Sequence, residues 1–154
     1  MKLRLSMGSA LVALLLSNSR ALVAQTISVS GNPASFRVST AVAGSEPSAL
    51  SDNTTTYTIN TPAAGNNKYQ VTAQLNANMP VGTTLSATAA AGTGSGSTSS
   101  GAIPLDITAR QLVYNIKKNY SGTAALTYQF AATVSAGVIS STTRTVTLTI
   151  TTYP

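Results

Sequence analysis

The chain has no histidine, no cysteine and no tryptophan, and Glu46, Asp52 and Asp106 are its only acidic residues. Each absence removes a class of chemistry. Without histidine the usual general base of a serine or cysteine nucleophile is missing, and without cysteine the thiol route closes as well. Zinc, copper and haem lose their preferred imidazole and thiolate ligands. A serine–lysine dyad is formally open to Lys68, Lys117 or Lys118, but nothing around these lysines forms a motif. Acid–base hydrolysis of glycosides needs two carboxyl groups facing one bond; Glu46 and Asp52 fall in loop-like sequence and Asp106 at a strand edge, with no pattern that pairs them. The expectation is a protein that is not an enzyme and carries no cofactor. Calcium is the one ion left open, because it takes oxygen ligands. Glu46, Asp52 and Asn53 share the stretch SEPSALSDN, which lacks an EF-hand pattern and reads more simply as polar turn residues.

Charge is scarce too. Charged residues make up 8% of the chain, against roughly 25% in ordinary soluble domains. The first residues concentrate part of what there is. Met1-Lys2-Leu3-Arg4 is a short basic start, and residues 10–16 (ALVALLL) form an apolar run. That run is too short to span a bilayer as a helix, which needs about 20 apolar residues. Polar Ser17 to Arg20 and then Ala21-Leu22-Val23-Ala24 follow. This is the pattern of a secretory signal peptide, residues 1–24, with cleavage after Ala24 or, alternatively, Ala21. The junction has no cysteine for a lipid anchor, and no later segment is apolar enough to span a membrane as a helix. Losing Lys2, Arg4 and Arg20 takes the formal charge from +6 to +3. The remaining cations include one adjacent pair, Lys117-Lys118, which is no nucleic-acid footprint. The expected location is extracytoplasmic or extracellular, in a bacterium. Small secreted domains often rely on disulfides; this one must rely on packing, sheet hydrogen bonds or assembly.

What the chain does have is 43% hydrophobic residues and 44 serines and threonines among 154 positions, enough to bury a core and to face water from β-strands. Period-two alternation dominates residues 25–154. In residues 123–134, Ala124, Leu126, Tyr128, Phe130, Ala132 and Val134 share one face. Val146, Leu148 and Ile150 alternate with Thr145, Thr147, Thr149 and Thr151. With Ser135-Ala136-Gly137 between them, these two stretches are predicted to pair as a β-hairpin. Shorter alternating segments are TISVS (Ile27, Val29), SFRVS (Phe36, Val38), TTYTIN (Tyr57, Ile59), KYQVTAQL (Tyr69 to Leu75), Leu85 with Ala87, and QLVYNI (Leu112, Tyr114, Ile116). Seven or eight strands at this spacing predict a single all-β domain over residues 25–154, an antiparallel β-sandwich of immunoglobulin-like type, with a closed barrel as the alternative. Residues 91–101 (AGTGSGSTSSG) read as a flexible connection rather than a binding loop.

Recognition residues are few. Tyr57, Tyr69, Tyr114 and Tyr128 fall in phase with inward positions, leaving Tyr120 and Tyr153 as the tyrosines placed to touch a partner. Cleavage after Ala24 would leave Gln25 to Ser30 as a short alternating segment tethered by Gly31-Asn32-Pro33. Such a strand, with Ile27 and Val29 on one face, is either the first strand of its own sandwich or one donated to an open edge of a neighbour. The closing TRTVTLTITTYP, an alternating strand with Tyr153 near its end, resembles the last strand of secreted bacterial pilin-like and spore-coat-U-like proteins. The resemblance covers the signal peptide and that strand, and those families commonly carry cysteines that this chain lacks. It implies a subunit of an extracellular surface or fibre, with self-association or other surface proteins as partners. The alternative is a monomeric adhesion or carbohydrate-binding module that uses its loops, with polysaccharide as ligand.

Overall fold

The computed structural model describes residues 24–39, 42 and 44–154, so the signal-peptide reading, Ala24 apart, lies outside the described residues. The chain forms β1 (Thr26–Ser30), β2 (Leu50–Asn60), β3 (Lys68–Leu75), β4 (Thr83–Ala89), β5 (Thr98–Ser99), β6 (Ile103–Pro104), β7 (Arg110–Ile116), β8 (Ser121–Ala132) and β9 (Val146–Tyr153), with one 3-10 turn at Val134–Ala136. All pairings are antiparallel. They build a five-stranded sheet, β1-β2-β8-β4-β6, and a four-stranded sheet, β5-β7-β3-β9. The protein is an all-β sandwich. Two of the nine strands among the described residues, β5 and β6, are two residues long, too short to register as an alternating pattern. Among the described residues no helix is long and apolar enough to cross a membrane.

Alternation is the cause of the two layers. In β3, Tyr69, Val71, Ala73 and Leu75 are buried while the residues between them are not. Side chains of a strand point to opposite faces in turn, so these four face the other sheet. There they join Tyr57, Ile59, Leu85, Ala87, Leu112, Leu126 and Tyr128 in one hydrophobic core. Tyr57, Tyr69 and Tyr128 are core residues, as their phase predicts.

Three local expectations are corrected. The long alternating stretches β8 and β9 do not form a hairpin: β8 lies between β2 and β4, whereas β9 pairs with β3 in the opposite sheet. The alternation is as read through Ala132 in β8 and from Val146 in β9, but Val134, expected on the inward face, sits in the 3-10 turn and is 57% exposed, and residues 133–145 carry the chain across the sandwich instead of reversing it in plane. The segment SFRVS joins no ladder; Phe36 instead lays its ring on that of Phe130, centroids 6.0 Å apart. Residues 91–101, expected as a flexible connection, are hydrogen-bonded both within the segment and to β7. The buried Ser95 hydroxyl donates to Gly92 O and pairs with Ser97 Oγ, the Ser95 carbonyl accepts from Lys117 N, and Thr98–Ser99 join β7.

Candidate functional site

The segment singled out for assembly forms β1, at the outer edge of the five-stranded sheet. It runs opposite β2 with Thr26 facing Asn60, Ile27 facing Ile59 and Val29 facing Tyr57. Directly opposed residues of an antiparallel pair share a face, so Ile27 and Val29 point toward the same side as the buried Ile59 and Tyr57. Their burial is nonetheless shallow. Ile27 is half-buried and Val29 is 48% exposed. Across the sandwich the neighbour of β1 is β9, the edge of the other sheet, whose inward Val146 and Leu148 are likewise half-buried. The core therefore thins out along the β1–β9 side, where each strand ends its sheet and, among the described residues, has no partner on its outer edge.

What fixes β1 in place is concentrated at its exit. Gly31 has φ +80, and a Cβ there would lie 2.6 Å from the carbonyl oxygen of Thr54. Only a residue without a side chain fits both the left-handed backbone and that close approach. Thr54 stands in an irregularity of β2, where the pairing with β8 slips between Asp52 and Thr55. The Asp52 carboxylate holds the slip together. It accepts Thr54 N–H at 3.0 Å, Thr54 Oγ1–H at 2.7 Å and Ala34 N–H at 3.2 Å. The Thr54 hydroxyl contact, then the Thr54 backbone contact, hold the Asp52 pKa below the ordinary carboxylate value. Beyond this clasp, the described residues among 35–49 join no strand.

The other two carboxylates work elsewhere. Glu46 accepts the Val134 N–H at 2.7 Å. Asp106 is paired with Arg110 and caps Thr108 N at 2.8 Å; the Arg110 guanidinium is the main reason its pKa is lowered. Asp106 and Arg110 border a shallow cleft of about 470 Å³ with Met79, Ile103 and Leu105. Glu46 and Asp52, the calcium candidates, are thus spent on separate backbone donors, and no three acidic side chains gather among the described residues.

The two tyrosines expected at the surface part company. Tyr120 is a core residue, 8% exposed. Its backbone is tied to Thr61, which donates N–H to Tyr120 O at 2.8 Å and accepts Tyr120 N–H on Oγ1 at 2.8 Å. Its ring is laid in a slot between Gly92 and Gly122, where an added Cβ would meet the phenol oxygen at 2.1 and 2.2 Å. The preceding Asn119, at φ 52, turns the chain so that Tyr120 enters the slot. Tyr153 lies on the outer face of the four-stranded sheet, half-exposed, opposite Lys68. Its ring meets that of Tyr114, centroids 5.5 Å apart and planes inclined by 38°.

Tyr114 is the site residue the periodicity misplaces. Leu112, Val113 and Ile116 are buried and Tyr114 is not. The β3–β7 register shifts on both sides of Val71, and Asn115 takes φ 63. Each shift rotates the strand's phase by one residue: the one between Gln111 and Val113 turns Tyr114 outward, and the one at Asn115 returns Ile116 to the core. The asparagine after the tyrosine marks only the second shift in the sequence, since Asn tolerates the left-handed region better than most residues; nothing local marks the first.

Comparison of this chain with protein-family models, with curated proteins and with solved structures finds no match to any of them.

Proposed function

We propose that this protein is a secreted, non-enzymatic structural subunit of an extracellular or cell-surface assembly, joined to its neighbours by exchange of β1. The observation that carries the reading is the poor anchoring of an edge strand by its own core: among the described residues β1 pairs with β2 alone, and it leaves the inward-facing Val29 48% exposed. A strand so held is interchangeable with the same strand of another copy, because the β2 edge it would occupy offers identical hydrogen bonds and the same Tyr57 and Ile59 surface. Fifteen residues separate Ala34, the end of the clasp, from β2, and the crossing draws on that length of chain. The exchange is head-to-tail, so it propagates into a filament unless the rotation closes a ring. The signal-peptide pattern supports export, and cleavage after Ala24 would place β1 at the mature amino terminus, where a donated strand has no chain to drag through.

The absence of cysteine makes the test clean. Ser28 and Thr58 are directly opposed, so Ser28→Cys with Thr58→Cys reports where β1 sits. After oxidation of the secreted protein, exchange produces a ladder of covalent oligomers on a non-reducing denaturing gel. Deleting residues 25–32 abolishes particles larger than a monomer. A disulfide confined to monomers, with no oligomers by sizing of the unmodified protein, overturns the proposal.

A further inference from the structure

We infer that the outer face of the four-stranded sheet is a binding platform for a neutral polysaccharide chain, centred on Tyr114 and Tyr153. The reasoning starts from what such a ligand demands. A sugar ring has a C–H face that packs on an aromatic ring and a rim of hydroxyls that need donors and acceptors at once. Tyrosine supplies a flat apolar body with a polar tip, and a glutamine amide offers both a donor and an acceptor from one side chain. The sheet brings these together. Tyr114 from β7 and Tyr153 from β9 lean toward each other across β3, half-exposed, with centroids 5.5 Å apart. Between and beside them are Gln70 and Gln111, whose amides are joined by a hydrogen bond from Gln111 Nε2 to Gln70 Oε1. Gln70 Nε2 also reaches Thr152 O at 3.5 Å, which fixes its orientation. Thr149 and Thr151 extend the same outward row along β9, opposite Thr72 and Gln70.

Three features select the occupant. Along the β3–β9 ladder the patch carries one charged residue, Lys68, directly opposite Tyr153 on the middle strand, so it has no row of cations for a polyanion such as nucleic acid or an acidic polymer. Its outward row is threonine and glutamine with no aliphatic side chain, whereas a face that buries a second protein copy concentrates apolar residues at its centre. The two rings are inclined by 38° rather than coplanar. An inclined pair follows successive sugars of a single twisted chain and mismatches the flat surface of a crystalline polymer. The proposal does not depend on strand exchange, since β1 belongs to the other sheet.

The experiment is affinity electrophoresis of the full secreted protein through gels containing soluble β-1,3-glucan, xylan, mannan, hydroxyethyl cellulose or α-glucan, with microcrystalline cellulose as an insoluble comparison. The expected result is retardation by at least one soluble polymer and none on the crystalline one. Tyr153→Ala and Tyr114→Ala weaken that retardation at least tenfold, Gln111→Ala weakens it by a smaller factor, and Tyr153→Phe retains most of it. Thermal melts accompany each variant, and Tyr153→Phe guards against misfolding, because it keeps the ring in place. Two results overturn the platform: mobility unchanged in every soluble polymer, or retardation that survives Tyr153→Ala in a folded protein. Retardation lost on deleting residues 25–32 but kept in Tyr153→Ala moves the binding to the assembly and overturns it as well.

Discussion

The two edge strands that face each other across the sandwich, β1 and β9, are written in nearly the same language and held very differently. Both alternate aliphatic with hydroxyl residues. β9 pairs along eight residues with β3, buries Ile150, and is pinned at its start by Arg144 Nε donating to Asn78 O and Thr145 N donating to Asn76 Oδ1, each at 2.9 Å. β1 pairs along five residues with β2, buries no side chain fully, and is fixed chiefly at its exit by the Gly31–Asp52 clasp. The difference shows that pattern decides which face of a strand turns inward, while depth of cover decides whether it stays. An edge strand with shallow cover and a long following connection is one that can trade places.

The largest effect expected is on the sheet that carries β1. Burial, with Tyr120 nearby, pushes the Tyr57 phenol up to about 12, and burial alone pushes Tyr128 up to about 12, from an ordinary 10.0. A raised folded pKa means the stabilisation is complete below pH 10 and drains away as pH climbs toward 12, because the unfolded chain ionises first. Circular dichroism alongside tyrosinate absorbance should show unfolding in that window, and Tyr57→Phe should shift it upward. Next, Ile150→Ala in β9 should destabilise by about 3 kcal/mol, whereas Ile27→Ala in β1 should cost only about 1 kcal/mol; denaturant melts of the pair measure the asymmetry directly. Between these two falls Gly31→Ala, expected to cost about 2 kcal/mol because it adds a Cβ where φ is positive and the Thr54 carbonyl is close. Hydrogen exchange should locate that loss in β1, with β9 protected as before. Equal loss of protection in both strands would erase the contrast between them.

Much of the sandwich is legible from periodicity. KYQVTAQL is the whole of β3, and Val146, Leu148 and Ile150 face inward as their alternation requires. Periodicity says which way a side chain points, not which strand lies alongside, and so the pairing of β8 with β9 reads plausibly and is wrong. It also assumes an unbroken phase. One extra residue between Gln111 and Val113 is enough to move Tyr114 from core to surface. Tyr120 fails to read as core for another reason. Its burial rests on Gly92 and Gly122 leaving room for its ring, and an absent side chain far along the chain leaves no mark in a local window.

That slot has an evolutionary consequence. Gly92, Tyr120 and Gly122 form one trait spread over three positions, since any side chain at either glycine collides with the phenol, and a smaller residue at 120 leaves a void between them. None of the three can drift alone. Descendants of a common ancestor can exchange threonine for serine along every exposed strand, and overall resemblance fades, while tyrosine, then one residue, then glycine, preceded by a distant glycine, persists or is replaced as a set. Kinship for this chain is better sought through that coupled triplet than through its freely substitutable surface.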